Sequence, residues 1–473
     1  MDETIIFMLC NLNHKHLSIN MNNKILFLIA LHLSVAFLAV SSTPGWSQLD
    51  SIPSNEPTIV DNETGLIIEK YAGGMQFPSS MAFLGPDDIL VLEKNTGEVR
   101  RIINGNMIEE PLLDVPVAIR DERGLLGIAV TKDNPNSGTT LVFLYYTESA
   151  RDGDDLEGKE PLGNRLYSYE LVGDKLVNGK LLLGLPANGA THHNGGRLLI
   201  GPDNDIYLVV GDLQDPGQTS LTHLTTTQNI HNSRYPDGTG GILRLTQDGK
   251  PVGNVLGGRP PIDLYYAYGI RNSFGIDFDP ITNKLWDTEN GPDYADEINL
   301  VEPGFNSGWR RIQGMAEDLN VLNNVLVKFP GLSASEDSLL GRLQQFWFKA
   351  TGVGGGIYNN PEFVWEVTIA PTAIKFLHSQ ALGERYSNDA FVASFNTGYI
   401  YHFELNDDRT GFLLEGDLAD DVADKFNEAE ELVFAKNFGR ITDMAIGPDG
   451  YLYVLAIQGS EGTIHRILPA RNS

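Results

Sequence analysis

Cysteine is almost absent from this chain of 473 residues, in which Cys10 is the single thiol. One cysteine cannot form an intrachain disulfide or a zinc-thiolate site. Cys10 also precedes the leader described below, so the mature chain would contain no thiol. Cysteine nucleophiles are therefore excluded from its chemistry.

Positive charge is scarce as well, since the chain has 34 Lys and Arg residues but 62 Asp and Glu residues, which gives a net charge of −28. Proteins that bind nucleic acid gain most of their affinity from clustered basic residues. The composition therefore predicts an acidic, soluble surface and no nucleic-acid partner.

The longest apolar run lies near the amino end, from Ile25 to Val40. It follows Lys24 and ends in small residues, which is the pattern of a secretory signal over residues 21–48. A run of this length is short for a membrane span, although an uncleaved anchor remains an alternative. The predicted location is extracytoplasmic, either secreted or anchored to the outer face of the cell membrane.

The other amino-terminal boundaries follow from this signal. Met21 is a credible true start, so residues 1–20 are interpreted as an upstream extension. Residues 49–63 are polar and turn-rich, as expected of a linker leading to a folded body.

A repeated turn organises the rest of the chain, which contains 50 glycines and 24 prolines. The sequence Gly-Pro-Asp recurs, and each copy precedes an alternating apolar segment. The strong copies are Gly85–Asp88, Gly201–Asn204 and Gly447–Gly450, and the weaker ones are Lys132–Pro135, Asp279–Thr282 and Ser387–Asp389. This spacing predicts an all-β fold, a six-bladed β-propeller over residues 64–470.

Chemically reactive side chains share one phase of this repeat, a few residues before each turn. They are Ser79-Ser80, Glu122-Arg123, His193-Asn194, Arg271-Asn272, Pro371-Thr372 and Arg440 with Thr442-Asp443. Equivalent positions of propeller blades lie at one height around the axis, so these groups would converge on one mouth of the channel. The alternative is that strand starts are polar because loops are polar.

His193 is the best general-base candidate in this set, because a neutral imidazole accepts a proton near physiological pH. Asp296 is the predicted carboxylate partner that orients it. Arg271 could stabilise an oxyanion or bind a carboxylate, and Arg440 could do the same from another blade. The carbonyls of Gly291-Pro292 could bind a hard cation such as calcium, although a simple acidic turn is the more common explanation of such a sequence.

The assembled segments resemble the glucose/sorbosone dehydrogenase family, the soluble pyrroloquinoline quinone (PQQ)-dependent aldose sugar dehydrogenases. The resemblance runs from about Phe77 to Leu468 with one interruption. The segments that carry it are Glu122–Val130, His192–Asp212, Gly238–Leu245, Tyr268–Trp309 and Gly439–Leu455.

The resemblance implies a six-bladed propeller that uses PQQ and calcium to oxidise an aldose to its lactone and passes electrons to an external acceptor. His193 would be the catalytic base oriented by Asp296, and Arg271 would stabilise charge on the quinone oxygen. Gly291 and Pro292 would hold the calcium.

The remaining roles are also implied by this resemblance. Asn272 and Arg440 would bind the cofactor, Glu122 would lie close to the substrate, and Trp365 approximately matches a tryptophan near cofactor or sugar. Asn396 and Thr442 occupy cofactor-binding positions where the best-known members carry basic residues, so weaker PQQ binding is expected.

The interruption spans about residues 315–360. Ser333–Glu336 forms a capping box followed by apolar residues at helical spacing, which predicts a short amphipathic helix. A helix lidding the mouth and a helix packed on the side of the propeller are both compatible with this pattern. Two other functions stay open, a non-catalytic propeller that binds sugar or protein and a calcium-dependent lactonase.

Overall fold

The computed structural model describes residues 56–470, apart from 132–137, 188–190, 214–236, 254, 258–259, 310–311 and 316–356. These residues all belong to one compact unit, 51–473. The predicted extension, the signal and the helix in the insertion lie outside the described residues. In the described part of the chain, no helix has the length and hydropathy needed to cross a membrane.

Six sheets form the fold, which confirms the predicted six-bladed β-propeller. Their inner strands are antiparallel, and blades 3 and 4 add parallel strands at the outer side. From the innermost strand outward, blade 1 contains Pro78–Gly85, Asp88–Glu93, Glu98–Ile103, Asn106–Met107 and Leu113–Asp114. In the same order, blade 2 contains Leu125–Thr131, Leu141–Ser149, Pro161–Val172 and Lys175–Leu185. Blade 3 contains Leu198–Ile200, Ile206–Val210, Gly241–Leu245, Tyr265–Tyr268, Phe305–Asn306 and Ile357–Tyr358. Blade 4 contains Ser273–Phe278, Leu285–Glu289, Asp296–Val301, Phe363–Trp365 and Val422–Ala423. Blade 5 contains Pro371–Phe376, Ala390–Ser394, Ile400–Phe403, Val433–Lys436 and Thr58–Ile59. Blade 6 contains Arg440–Ile446, Leu452–Gln458, Glu461–Pro469 and Leu66–Gln76.

The helices among the described residues are short 3₁₀ turns, namely Asn62–Thr64, Ile262–Leu264, Glu384–Tyr386, Gly416–Leu418 and Glu428–Leu432. The innermost strand of each blade packs against that of the next, and the sixth packs against the first. Leu66–Gln76 pairs with the carboxy-terminal strand Glu461–Pro469, so the two ends of the chain close the ring. Thr58–Ile59, placed by the sequence in a linker, pairs with Val433–Lys436 and is already part of a sheet.

The Gly-Pro-Asp turn has the same hydrogen bonds in two blades. In blade 3 the Asp203 carboxylate accepts bonds from the Asp205 backbone N–H at 3.1 Å and the Tyr207 hydroxyl at 2.8 Å. In blade 6 Asp449 accepts equivalent bonds from Tyr451 and Tyr453. A Cβ at Gly201 would lie 2.6 Å from the Tyr207 ring. The motif therefore recurs because the turn needs a capping carboxylate and a glycine beneath the tyrosine.

Arg197 crosses the central channel and ties the blades together. Its guanidinium lies 2.6 Å from Asp443 of blade 6. It also donates to the carbonyls of Phe274 in blade 4 at 2.7 Å and Thr372 in blade 5 at 3.0 Å. Beyond Arg197, farther along the inner strands, the channel holds a cavity of about 220 Å³.

Removal of this arginine is expected to destabilise the whole propeller. Arg197→Met would leave the buried Asp443 carboxylate without its cation, and breaking a buried pair in this way typically costs about 3 to 5 kcal/mol. Urea denaturation of the wild type and the variant measures the difference in the free energy of unfolding. The double variant with Asp443→Asn should recover part of the loss, and a loss below about 1 kcal/mol for the single variant would contradict this assignment.

Candidate active site

The predicted cluster of reactive side chains forms at one end of the channel, where the inner strands begin. Glu122 precedes blade 2, His193 precedes blade 3, and Arg271 and Asn272 precede blade 4. The Glu122 carboxylate accepts a bond from the His193 backbone N–H at 2.6 Å and one from the Asn272 amide at 3.4 Å. These two hydrogen bonds link blades 2, 3 and 4 through residues that the repeat phase had predicted to converge.

His193 is held in a defined orientation by a carboxylate other than the predicted one. Its Nδ1 lies 2.6 Å from Oδ1 of Asp212, and both side chains are buried. The prediction that Asp296 orients His193 is therefore wrong. An imidazole that donates from Nδ1 to a carboxylate leaves Nε2 as its proton acceptor.

Hairpin geometry explains why Asp212 is the partner. Leu198–Ile200 pairs with Ile206–Val210 across the Gly201–Asn204 turn, so the hairpin returns Asp212 to the level of His193. Gly211 permits the approach, because a Cβ there would lie 2.4 Å from the His193 carbonyl oxygen. His193 and Asp212 are separated from this turn by nearly equal numbers of residues, a pattern from which their pairing could have been predicted.

Trp309 completes the environment of this pair. Its indole Nε1 donates to Oδ2 of Asp212 at 2.6 Å. Burial by itself would raise the pKa of Asp212, but His193, Arg271 and the Trp309 bond together lower it from its ordinary value. Asp212 therefore stays ionised and can stabilise a protonated imidazole. Sequence reasoning had assigned no role to Trp309.

Arg271 lies beside this pair, between several carboxylates. Its Nη1 donates to the Asn290 carbonyl at 2.6 Å, and its guanidinium stacks 5.3 Å from the centre of the Trp309 ring. Burial lowers the pKa of Arg271, and the nearby carboxylates Asp212, Glu122, Glu289 and Asp296 oppose that shift. The site thus combines a fixed cation with an excess of negative charge, an environment that attracts a further cation.

Asp296 has a structural role at the predicted calcium turn. Its Oδ1 accepts from the Gly291 backbone N–H at 2.8 Å, and its Oδ2 accepts from Ile369 and Ala370 at 2.6 and 2.7 Å. Burial raises the pKa of Asp296 to about 6, against the lowering effect of these bonds. Asp296 therefore fixes the Gly291-Pro292 turn of blade 4 to the start of blade 5.

Several buried polar atoms around this turn are compatible with a bound group. Arg271 Nε, Asn272 Oδ1 and Asn290 Oδ1 are buried and have no hydrogen-bond partner among the described residues. The described part of the chain contains no cluster of three or more acidic, histidine or cysteine side chains arranged for a metal. One hydrogen-bond donor, Arg271 Nε, and two acceptors, Asn272 Oδ1 and Asn290 Oδ1, thus fit a polar cofactor at this position. A cation at Gly291-Pro292 would need further oxygen ligands.

Trp365 does not lie where the resemblance had placed it. Its side chain is 2% exposed and packs against Phe363, Tyr401 and Phe403 in the core between blades 4 and 5. The predicted contact with cofactor or sugar is therefore wrong. The strand that contains Trp365 pairs it with Asp296 and turns its ring into the core.

Blades 5 and 6 contribute the remaining predicted cofactor residues. Arg440 and Thr442 lie at the start of the inner strand of blade 6, and Asn396 lies in the loop after Ala390–Ser394 of blade 5. The Arg440 guanidinium stacks 5.0 Å from the Phe395 ring centre. Asn396 is exposed, and its backbone N–H donates to the Ile369 carbonyl at 3.1 Å. Thr442 is partly buried, and its hydroxyl donates to the Leu455 carbonyl at 3.4 Å. Neither Asn396 nor Thr442 supplies a positive charge, so Arg440 provides the cation at this part of the mouth.

Blade 4 also contains buried carboxyls with raised pKa values. Burial raises the pKa of Asp287, Glu289 and Glu297. Glu289 and Glu297 lie opposite each other on paired strands, and Asp287 is two residues before Glu289. Burial also raises the pKa of Glu362 to about 8, although the Leu300 backbone N–H donates to this carboxyl. Such groups bind protons more tightly in the folded protein than in the unfolded chain.

The stability of the protein without added ligands is expected to fall as pH rises from about 5 to 8, because these carboxyls must ionise in the core. Glu362→Gln keeps an acceptor for Leu300 and removes one ionisation. The variant should flatten the decline by about 3 to 4 kcal/mol between pH 5 and pH 8, measured by thermal or urea unfolding. An unchanged slope in the variant would contradict the assignment.

Comparison with known proteins places this architecture in one family. The chain matches the model of the Glucose / Sorbosone dehydrogenase family over residues 75–320 and 351–466, so it belongs to that family. The family assignment confirms the resemblance that the sequence segments had indicated.

Named relatives extend this result. The chain is 32% identical over 247 residues to quinoprotein glucose dehydrogenase B of Acinetobacter calcoaceticus, covering half of each protein. It is 25% identical over 409 residues to an aldose sugar dehydrogenase of Escherichia coli, covering 85% of this chain and 92% of that protein. The PQQ-bound aldose sugar dehydrogenase of Streptomyces coelicolor shares the fold, with a TM-score of 0.56 and 22% identity over 88% of this chain and 99% of that one.

Proposed function

We propose that the protein is a PQQ- and calcium-dependent dehydrogenase that oxidises an aldose to its lactone and passes electrons to an external acceptor. The observation that carries the proposal is the buried pair of His193 and Asp212 with Arg271 beside it. Family membership supports the reaction class. The predicted signal peptide or membrane anchor over residues 21–48 supports the proposal of an extracytoplasmic location.

His193 would remove the proton of the anomeric hydroxyl through Nε2. Asp212 holds the Nδ1 hydrogen and stabilises the positive charge that develops on the ring. Glu122 accepts the His193 backbone N–H and keeps this residue at φ 59°, an uncommon conformation for a residue other than glycine. His193 is thus oriented by Glu122, which bonds its backbone, and by Asp212, which bonds its ring.

Arg271 and Asn272 would hold the quinone, since both carry buried polar atoms without partners among the described residues. Bound PQQ would supply the hydride acceptor, and calcium at Gly291-Pro292 would supply Lewis acidity. The Arg271 guanidinium is positioned to stabilise negative charge beside His193.

A second candidate, a non-catalytic propeller that binds sugar or protein, is favoured by Asn396 and Thr442 at expected cofactor positions. The two candidates differ in cofactor retention. Purified protein is incubated with calcium and PQQ, desalted, and assayed for retained quinone absorbance and for dye reduction with a panel of aldoses. The dehydrogenase retains quinone and reduces dye with at least one aldose. Absence of both signals would overturn the proposal and favour the second candidate.

A further inference from the structure

The Trp309 side chain contacts both Asp212, the partner of the base, and Arg271, the proposed charge stabiliser. Its Nε1–H donates to Asp212 at 2.6 Å, and its ring lies 5.3 Å from the Arg271 guanidinium. Asp212 in turn contacts His193. A single residue therefore touches the partner of the base and the proposed charge stabiliser.

The backbone around Trp309 is fixed to the loop that carries Arg271. The Trp309 N–H donates to the Gly269 carbonyl at 3.0 Å, and the Ser307 N–H donates to Tyr268 at the same distance. Phe305–Asn306 forms a short parallel strand between Tyr265–Tyr268 and Ile357–Tyr358. The Trp309 backbone is thus bonded to Gly269, two residues before Arg271, and Trp309 is only 9% exposed.

The two contacts of Trp309 differ in their physical basis. The hydrogen bond satisfies the second oxygen of a buried carboxylate and so fixes the plane of Asp212, which decides the direction of the Nδ1 bond to His193. The ring face attracts the Arg271 cation and restricts its position.

We propose that Trp309 is a positioning residue that sets His193 through Asp212 and sets Arg271 through its ring. The inference rests on the proposed function. The effect of Trp309 on Asp212 depends on the indole N–H, and its effect on Arg271 depends on the aromatic face. The two effects can be separated, because one substitution removes the N–H and another removes the face.

Two variants separate these effects. Trp309→Phe keeps an aromatic face and loses the N–H, so kcat should fall about 10- to 100-fold while the PQQ dissociation constant and KM stay near wild type. Trp309→Gln keeps an N–H donor and loses the face. It should retain more of kcat than Trp309→Phe and bind PQQ about tenfold more weakly. Equal losses of both quantities in the two variants would overturn the inference.

A measurement without turnover keeps the inference testable if the proposed activity fails. In ¹⁵N-histidine-labelled protein without cofactor, the hydrogen-bonded Nδ1 proton of His193 gives a downfield signal, assigned by its loss in His193→Ala. Trp309→Phe should shift or broaden this signal, whereas Trp309→Gln should preserve it better. An unchanged signal in Trp309→Phe would show that Trp309 does not position the pair. Failure of wild-type turnover alone would count against the proposed function only.

Discussion

His193→Ala is expected to lower kcat by about 10²- to 10⁴-fold, the range that a positioned general base contributes. The imidazole pairs with a buried carboxylate through Nδ1 and keeps its second nitrogen for the substrate. Quinone retention should not change, because the proposed cofactor contacts come from Arg271 and Asn272. Steady-state dye reduction and quinone absorbance after desalting measure the two quantities.

His192→Ala provides a matched control for this variant. The neighbouring His192 is partly exposed and lies 3.1 Å from the Thr191 hydroxyl, away from Asp212. Its removal should leave kcat within about twofold of wild type, as expected of a surface change. Wild-type turnover by His193→Ala, or an equal loss in His192→Ala, would show that the base has been wrongly assigned.

Asp212→Asn is expected to lower kcat by about 10²- to 10⁴-fold, since an amide cannot stabilise a protonated imidazole and can favour the wrong tautomer. The change conserves shape, and the Trp309 indole can still donate to the amide oxygen. KM should change little, because Asp212 is buried behind His193. Steady-state kinetics with the best aldose of the panel tests this expectation.

Asp296→Asn is the decisive comparison for Asp212→Asn. Asp296 accepts three backbone hydrogen bonds and does not contact His193. Its substitution should therefore weaken calcium retention at the Gly291-Pro292 turn and affect kcat at saturating calcium less than Asp212→Asn does. A larger kcat loss in Asp296→Asn under those conditions would restore Asp296 as the partner of the base.

The repeat made the fold predictable, because similar turns recur from blade to blade, and those at Asp203 and Asp449 share the same capping bonds. The shared phase of the polar groups also predicted that Glu122, His193 and Asn272 would meet. These features depend on local turn geometry and on the equivalence of blades around an axis, and a sequence records both directly.

The errors concern side-chain direction, which the repeat phase does not determine. Asp212 was missed although the hairpin returns it to His193, and Asp296 was chosen from an adjacent blade instead. Trp365 was placed at the mouth, but its strand register turns it into the core. The role of Trp309 depends on the parallel pairing of Phe305–Asn306 with Tyr265–Tyr268, a long-range contact that no short motif marks.

The most direct test of the account is a single turnover without an external acceptor. Protein loaded with calcium and PQQ is mixed anaerobically with excess aldose while the absorbance of the oxidised quinone is followed. We expect a loss of one oxidised quinone per active site, slowed by about 10²-fold or more in His193→Ala and in Asp212→Asn but not in His192→Ala. No loss of quinone absorbance in wild-type protein that retains PQQ, or equal rates in all four proteins, would contradict it.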